Sequence, residues 1–193
     1  MLNIFCILFD TAIRVGELVK IKLGDISKSG PNFSILIHGK VKKERRIFLS
    51  DKCSLHLQNY LDCYINDIND SNFPLFFSKI HNIISPMSSR NIDRIVKKYS
   101  TLAREKSTSI PSSVHPHMIR RTRATGLYND GVPLAQISVL LGHSRIETTR
   151  SHYAYPSEER LKQVVDKASK NVPSQEKEWE GHSDDIKRKF GLC

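Results

Sequence analysis

Paired cysteines are missing from this 193-residue chain. Cys6, Cys53, Cys63 and Cys193 form no CxxC step and have no histidine at finger spacing, so neither a zinc site nor a disulfide framework is supported and a reducing cytoplasm is the expected setting. Long apolar runs are missing as well. The one strongly apolar stretch, MLNIFCILFD, has no basic flank and no cleavage site and meets Asp10 after nine residues, so neither a signal peptide nor a membrane span is expected there. Internal repeats and low-complexity tracts are absent. At 39% hydrophobic and 26% charged the composition is that of a globular protein with a buried core, and not of a disordered or collagenous one.

What the chain has in excess is positive charge: 30 Lys and Arg against 20 Asp and Glu, a formal +10. The excess is confined to two blocks. Residues 14 to 52 hold ten basic against four acidic side chains, and residues 90 to 123 hold nine against two. Residues 157 to 193 balance at eight and eight. Concentrated positive charge suits a phosphate backbone, where each neutralised phosphate releases counterions; its bland counterpart is a solubilising surface.

The pattern predicts a mostly helical fold with a small antiparallel β-sheet, an α+β architecture. Apolar residues at 5, 8, 9, 12 and 13 follow helical spacing, and a second short helix begins near Gly16, which puts Arg14 at a junction. Asn32 to Ile37 and Arg45 to Leu49 read as a hairpin around Gly39-Lys40, and Leu75 to Phe77 as a third strand. Helices are expected from about Leu57 to Asn69, after Ser88 or Ser89, from Pro116 to about Asp130, from Pro133 to Leu141 with Gly142 as its stop, two residues after Gly142 from Ser144, and after Ser157.

Four segments could carry chemistry: TAIRVGEL with Arg14 and Glu17, HGKVKKERR with Lys40, PHMIRR with His117 and Arg120, and LLGHSRIETTRSHY with His143 and Tyr153. Singly, each has an ordinary explanation: a capping arginine, a loop histidine, a half-buried tyrosine with a wet hydroxyl. Their order is more specific. Arg, then Gly-Lys in a hairpin, then His-x-x-Arg after Pro, then Leu-Gly-His-Ser, then Tyr ten residues beyond the last His resembles the tyrosine recombinase (phage integrase) family, similar to integrases of bacterial mobile elements.

The resemblance covers about residues 1 to 170 and implies a catalytic domain that breaks and rejoins DNA. A tyrosine oxygen attacks phosphorus and stores the bond as a 3′-phosphotyrosyl link, so no cofactor, metal or ATP is required. Carried over by motif, Tyr153 is the nucleophile, Arg14 and Arg120 hold the non-bridging oxygens, Lys40 protonates the leaving oxygen, His117 is the general acid/base residue and His143 a transition-state donor. Glu17, three residues after Arg14, is expected to orient that arginine or its neighbours, a local salt bridge being its bland counterpart. Lys42, Lys43, Arg45 and Arg121 are expected on DNA, with Lys43 the second choice for the acid and Tyr155 for the nucleophile.

Arg121 stands where the family usually has His, and Val41 replaces the second glycine of Gly-Lys-Gly. Family members carry a first catalytic helix and an N-terminal core-binding domain ahead of the segment that Met1 matches, so by resemblance the chain is expected to be a catalytic domain cut short at its front, with a polar tail over residues 171 to 193 that docks on a neighbouring copy. Expected partners are double-stranded DNA and, in a full-length protein, three further copies on two duplexes, with no membrane, in a bacterial cytoplasm. Two other readings compete. Gln136 to Tyr153 also resembles a helix-turn-helix, which would make a DNA-binding module without catalysis, and the chain could be an inactive remnant of an integrase. A type IB topoisomerase uses a similar constellation, but Leu-Gly-His-Ser favours the recombinase side.

Overall fold

A computed structural model describes residues 2 to 39, 44 to 66 and 68 to 143, together with residues 162, 165 and 166. The chain divides into two compact units, residues 1 to 153 and 154 to 193, and the architecture below is that of the first.

Helix α1 (Leu2–Thr11) buries Ile4, Ile7 and Leu8, the residues that its 3.6-residue period places on one side. It ends at Ala12, a fully buried residue held at φ 50°. Left-handed backbone costs a residue with a Cβ about 1–2 kcal/mol. The turn it makes sets up Arg14, which flanks the one-turn helix α2 (Val15–Leu18). A 3-10 turn at Leu23–Asp25 follows, closed by the Asp25 carboxylate accepting from the Lys22 amide at 2.9 Å.

Strands β1 (Ile26–Ser29), β2 (Asn32–His38) and β3 (Glu44–Phe48) form an antiparallel sheet in that order. The hairpin expected from the sequence is β2 and β3, paired Ile35 to Ile47 and His38 to Glu44. β1 has no alternating apolar pattern, since only Ile26 is partly buried; it forms because β2 offers it an edge, with Gly30 at φ 59° in the turn. Phe33, Ile35 and Ile37 of β2 are buried and face the main core.

Ser50 caps helix α3 (Asp51–Tyr64), its hydroxyl accepting from the Cys53 amide. This helix stops at Tyr64, short of the expected Asn69. The third strand expected at Leu75 to Phe77 lies in a separate two-stranded hairpin, β4 (Phe77–Ile80) with β5 (Ile83–Pro86), while Leu75 and Phe76 themselves are core. Ser88 caps helix α4 (Ser89–Lys106), and helices α5 (Pro116–Asn129) and α6 (Leu134–Leu141) follow.

The buried side chains form two clusters. The larger joins α1, α2, the three-stranded sheet, α3 and α4 through residues such as Leu8, Ile35, Leu57 and Ile92. The smaller holds Ala12, Ala124, Ile137 and Leu141, so α5 and α6 pack onto the end of α1 at Ala12. Among the described residues no helix is long and apolar enough to cross a membrane, and no group of three or more His, Cys, Asp or Glu side chains could hold a metal ion.

Candidate active site

The site is organised by the end of one helix. The last four carbonyls of an α-helix have no partner within it, and in α6 these belong to Ser138, Val139, Leu140 and Leu141. Gly142 adopts φ 62° and ψ 41°, which turns the chain so that the His143 amide donates to Ser138 O at 3.1 Å and the Gly142 amide to Val139 O at 3.0 Å. This is the Schellman arrangement, and it satisfies two of the four. Arginines satisfy the other two. Arg45 Nε donates to Leu140 O at 3.0 Å, while Arg120 Nη2 at 2.7 Å and Arg14 Nη1 at 3.3 Å both donate to Leu141 O. Arg14 Nη1 also lies 3.3 Å from Gly142 O.

Three guanidinium groups thus gather at the negative end of a helix dipole. One carboxylate stands among them. Glu17 accepts from Arg45 through both oxygens, at 3.2 and 2.8 Å, from Arg14 Nη1 at 3.3 Å and from the Arg14 amide at 2.9 Å. Burial alone would raise its pKa, but the hydrogen bonds from Arg45 and the Arg14 amide, with the two positive charges behind them, outweigh burial and hold it below the ordinary glutamate range.

Arg120 is 5% exposed. Its Nη1 donates to Ala12 O at 2.6 Å and its Nη2 lies 3.1 Å from His143 Nε2. Arginine has only donors, so in this contact Nε2 is the acceptor and the His143 proton sits on Nδ1. The Ala12 carbonyl is presented by the left-handed residue at the end of α1, which gives that backbone turn a place in the site. Arg14, by contrast, has a side chain 47% exposed, and only Nη1 of its guanidinium nitrogens donates to the described residues.

The structure therefore brings together Arg14, Glu17, Arg45, Arg120 and His143. His117 lies one turn before Arg120 on α5, exposed, its ring parallel to that of His115 at 6.5 Å between centroids. Pro116 at the helix start and residue 115 in extended backbone fix where that first turn begins. Arg121 is exposed next to Arg120. Lys40, Lys42, Lys43 and Tyr153 lie outside the described residues, as do Tyr155, the helix starts expected at Ser144 and Ser157, and the tail over residues 171 to 193.

Arg45, expected on DNA, is turned toward the protein. Its side chain is 12% exposed, and all three of its nitrogens donate within the protein. No sequence signal marks this, because the partners are a carboxylate 28 positions away and a backbone carbonyl 95 positions away.

A second charged cluster lies at the end of β2. His38 Nε2 is 2.8 Å from Asp25 Oδ1 and His38 Nδ1 is 2.9 Å from Glu44 Oε1. The Asp25 hydrogen bond, opposed by burial and assisted by Glu44, raises the His38 pKa above its ordinary value. Tyr60, the partly buried tyrosine of α3, is an unsuitable nucleophile: its hydroxyl donates to Leu75 O at 2.9 Å, and burial, helped by Tyr64, pushes its pKa up to about 12.

Chemically, the cluster around α6 suits an oxyanion. Among the described residues three fixed positive charges and one carboxylate meet here, and one of the forks opens to solvent.

The phage integrase family model matches residues 1–160. A tyrosine recombinase XerC of Staphylococcus carnosus (strain TM300) is 32% identical over 158 residues, 82% of this chain and 50% of the relative. A tyrosine recombinase of Agathobacter rectalis is 34% identical over 145 residues, 75% of this chain and 44% of the relative. The chain spans about half the length of the curated relatives it matches. Among solved structures, the XerA recombinase superposes with a TM-score of 0.65 at 25% identity, covering 84% of this chain and 56% of that one. The Tn1549 transposon integrase in complex with transposon right end DNA gives a TM-score of 0.68 at 18% identity, covering 86% and 58%.

Proposed function

The chain belongs to the phage integrase family, and from that premise we propose that it cleaves and rejoins double-stranded DNA at specific sites through a covalent tyrosyl intermediate. The observation that carries the reading is the convergence of Arg14, Arg120 and His143 on the end of α6, from parts of the chain more than 100 residues apart.

A phosphodiester seated there meets Arg14 on the open side and Arg120 from below. Tyr153 Oη attacks phosphorus, its proton passing to the His117 side; the bond from phosphorus to the 5′-bridging oxygen breaks, and that oxygen takes a proton from Lys40. The product is a 3′-phosphotyrosyl bond and a free 5′-hydroxyl. Attack by a different DNA 5′-hydroxyl reverses each transfer and releases the tyrosine, so bond energy is conserved and no nucleotide is spent. Charge on the non-bridging oxygens grows in the transition state, where the two arginines and the His143 Nδ1–H act as preorganised donors. Arg121, Lys42 and Lys43 contact the flanking backbone. In this reading the protein works on bacterial DNA in the cytoplasm, as four copies on two duplexes, with residues 171 to 193 docking between copies.

DNA carrying a nick beside the cleavage point traps the intermediate, since the short 5′-ended product diffuses away. A covalent protein–DNA adduct is expected, lost in Tyr153→Phe and kept in Tyr155→Phe. Salt-sensitive DNA binding with no adduct in the unaltered chain would refute the catalytic reading and leave a DNA-binding module.

A further inference from the structure

Arg45 has all three of its guanidinium nitrogens committed to the protein. It sits on β3, and its partners are Glu17 in α2 and Leu140 at the end of α6. It therefore ties together three elements: the sheet, the turn carrying Arg14, and the helix end on which Arg14 and Arg120 both rest. The contact to Glu17 is two parallel hydrogen bonds between planar groups, a geometry that fixes orientation as well as distance. Glu17 in turn holds both the amide and the Nη1 of Arg14.

The seat is tight. A Cβ at Gly142 would stand 2.6 Å from Arg45 Nη1 and 2.8 Å from Cζ, so the glycine that shapes the helix end also leaves the space that Arg45 fills. Arg14 is held less firmly among the described residues, being half exposed and engaged there through Nη1 alone, on Glu17 and on the Leu141 and Gly142 carbonyls. Its orientation depends in part on Glu17, and that of Glu17 on Arg45.

We propose that Arg45 is a positioning residue for DNA cleavage, which acts by holding Glu17, and through it the Arg14 fork, against the end of α6. The proposal rests on the recombinase reading above. It assigns Arg45 no phosphate contact.

Arg45→Met keeps the aliphatic stem and removes the fork. On the nicked substrate at saturating DNA, adduct formation is expected to slow by about ten- to a hundredfold, the size of effect that follows from small misplacement of a reacting group. DNA affinity and its salt slope stay unchanged, whereas loss of a phosphate contact would lower the slope by about one. Arg45→Lys recovers part of the rate, because an ammonium pairs with Glu17 but cannot also reach Leu140. In an Arg14→Ala background, where nothing is left to position, Arg45→Met adds less than about twofold. Glu17→Gln serves as the second variant should Arg45→Met fail to fold, with the same background dependence expected. Equal slowing in both backgrounds, a reduced salt slope, or an undiminished rate in Arg45→Met would overturn the proposal. An unaltered chain that forms no adduct would refute the cleavage reading itself, a result distinguishable from all three.

Discussion

At the scale of single residues, Arg14 and Arg120 share a chemical role in the proposed reaction but not a structural one. Replacing either with Ala is expected to slow adduct formation by about two orders of magnitude or more, from lost stabilisation of the phosphoryl oxygens. Their effects on stability should differ. Arg14 is half exposed and Leu141 O keeps its Arg120 donor without it, so Arg14→Ala should melt close to the unaltered protein. Arg120→Ala leaves the buried Ala12 carbonyl without its donor, a cost of about 1–3 kcal/mol that denaturant titration would read. His38 gives a pH-dependent prediction. Its folded-state pKa is raised, so its contribution to stability is complete below the ordinary histidine value of about 6.5 and is lost as pH rises through the raised value. Melting temperature should fall over that window, and His38→Gln should flatten the profile; an NMR titration of the ring that gave an unshifted midpoint would contradict it. The sequence marked Arg14 and Arg120 by motif and left His38 unmarked, because Asp25 and Glu44 are brought to it by the 3-10 turn and by strand register.

Among elements, the short helix α6 has the largest consequence for the site. Its eight residues end in a glycine whose left-handed backbone answers two carbonyls and leaves two for arginines. Gly142→Ala is expected to destabilise by at least about 1–2 kcal/mol from backbone conformation alone, with an added cost from the contact with Arg45. In an Arg45→Ala background that added cost should vanish, and a double-mutant cycle on melting would measure it. The stop at Gly142 was readable from sequence as a glycine closing an apolar run. That its carbonyls serve as arginine acceptors was not, since backbone groups are the same in every sequence. The strands show a similar division: β2 and β3 announce themselves by alternation, while β1 depends on the edge that β2 provides and β4 with β5 on a turn with His81 and Asn82 in left-handed backbone.

Over the whole of the first unit, the site lies where two cores meet. Ala12 belongs to the smaller cluster and ends the helix whose Ile4, Ile7 and Leu8 belong to the larger, so loosening the larger core should be felt at the arginines. Leu8→Ala, at a fully buried position, is expected to cost about 2–5 kcal/mol by denaturant titration. By itself the sequence determined the helical character, the β2–β3 hairpin, the capping serine Ser88 as a residue type suited to that task, the family, and the order of Arg14, His117, Arg120 and His143, because periodicity, caps and motifs are local and written in side-chain type. Only the tertiary structure decided that Arg45 turns inward, that Glu17 is shared between two arginines, and that three positive charges converge on one helix end. Those outcomes depend on where carbonyls and carboxylates arrive after packing, and packing is set by contacts between residues as many as 128 positions apart.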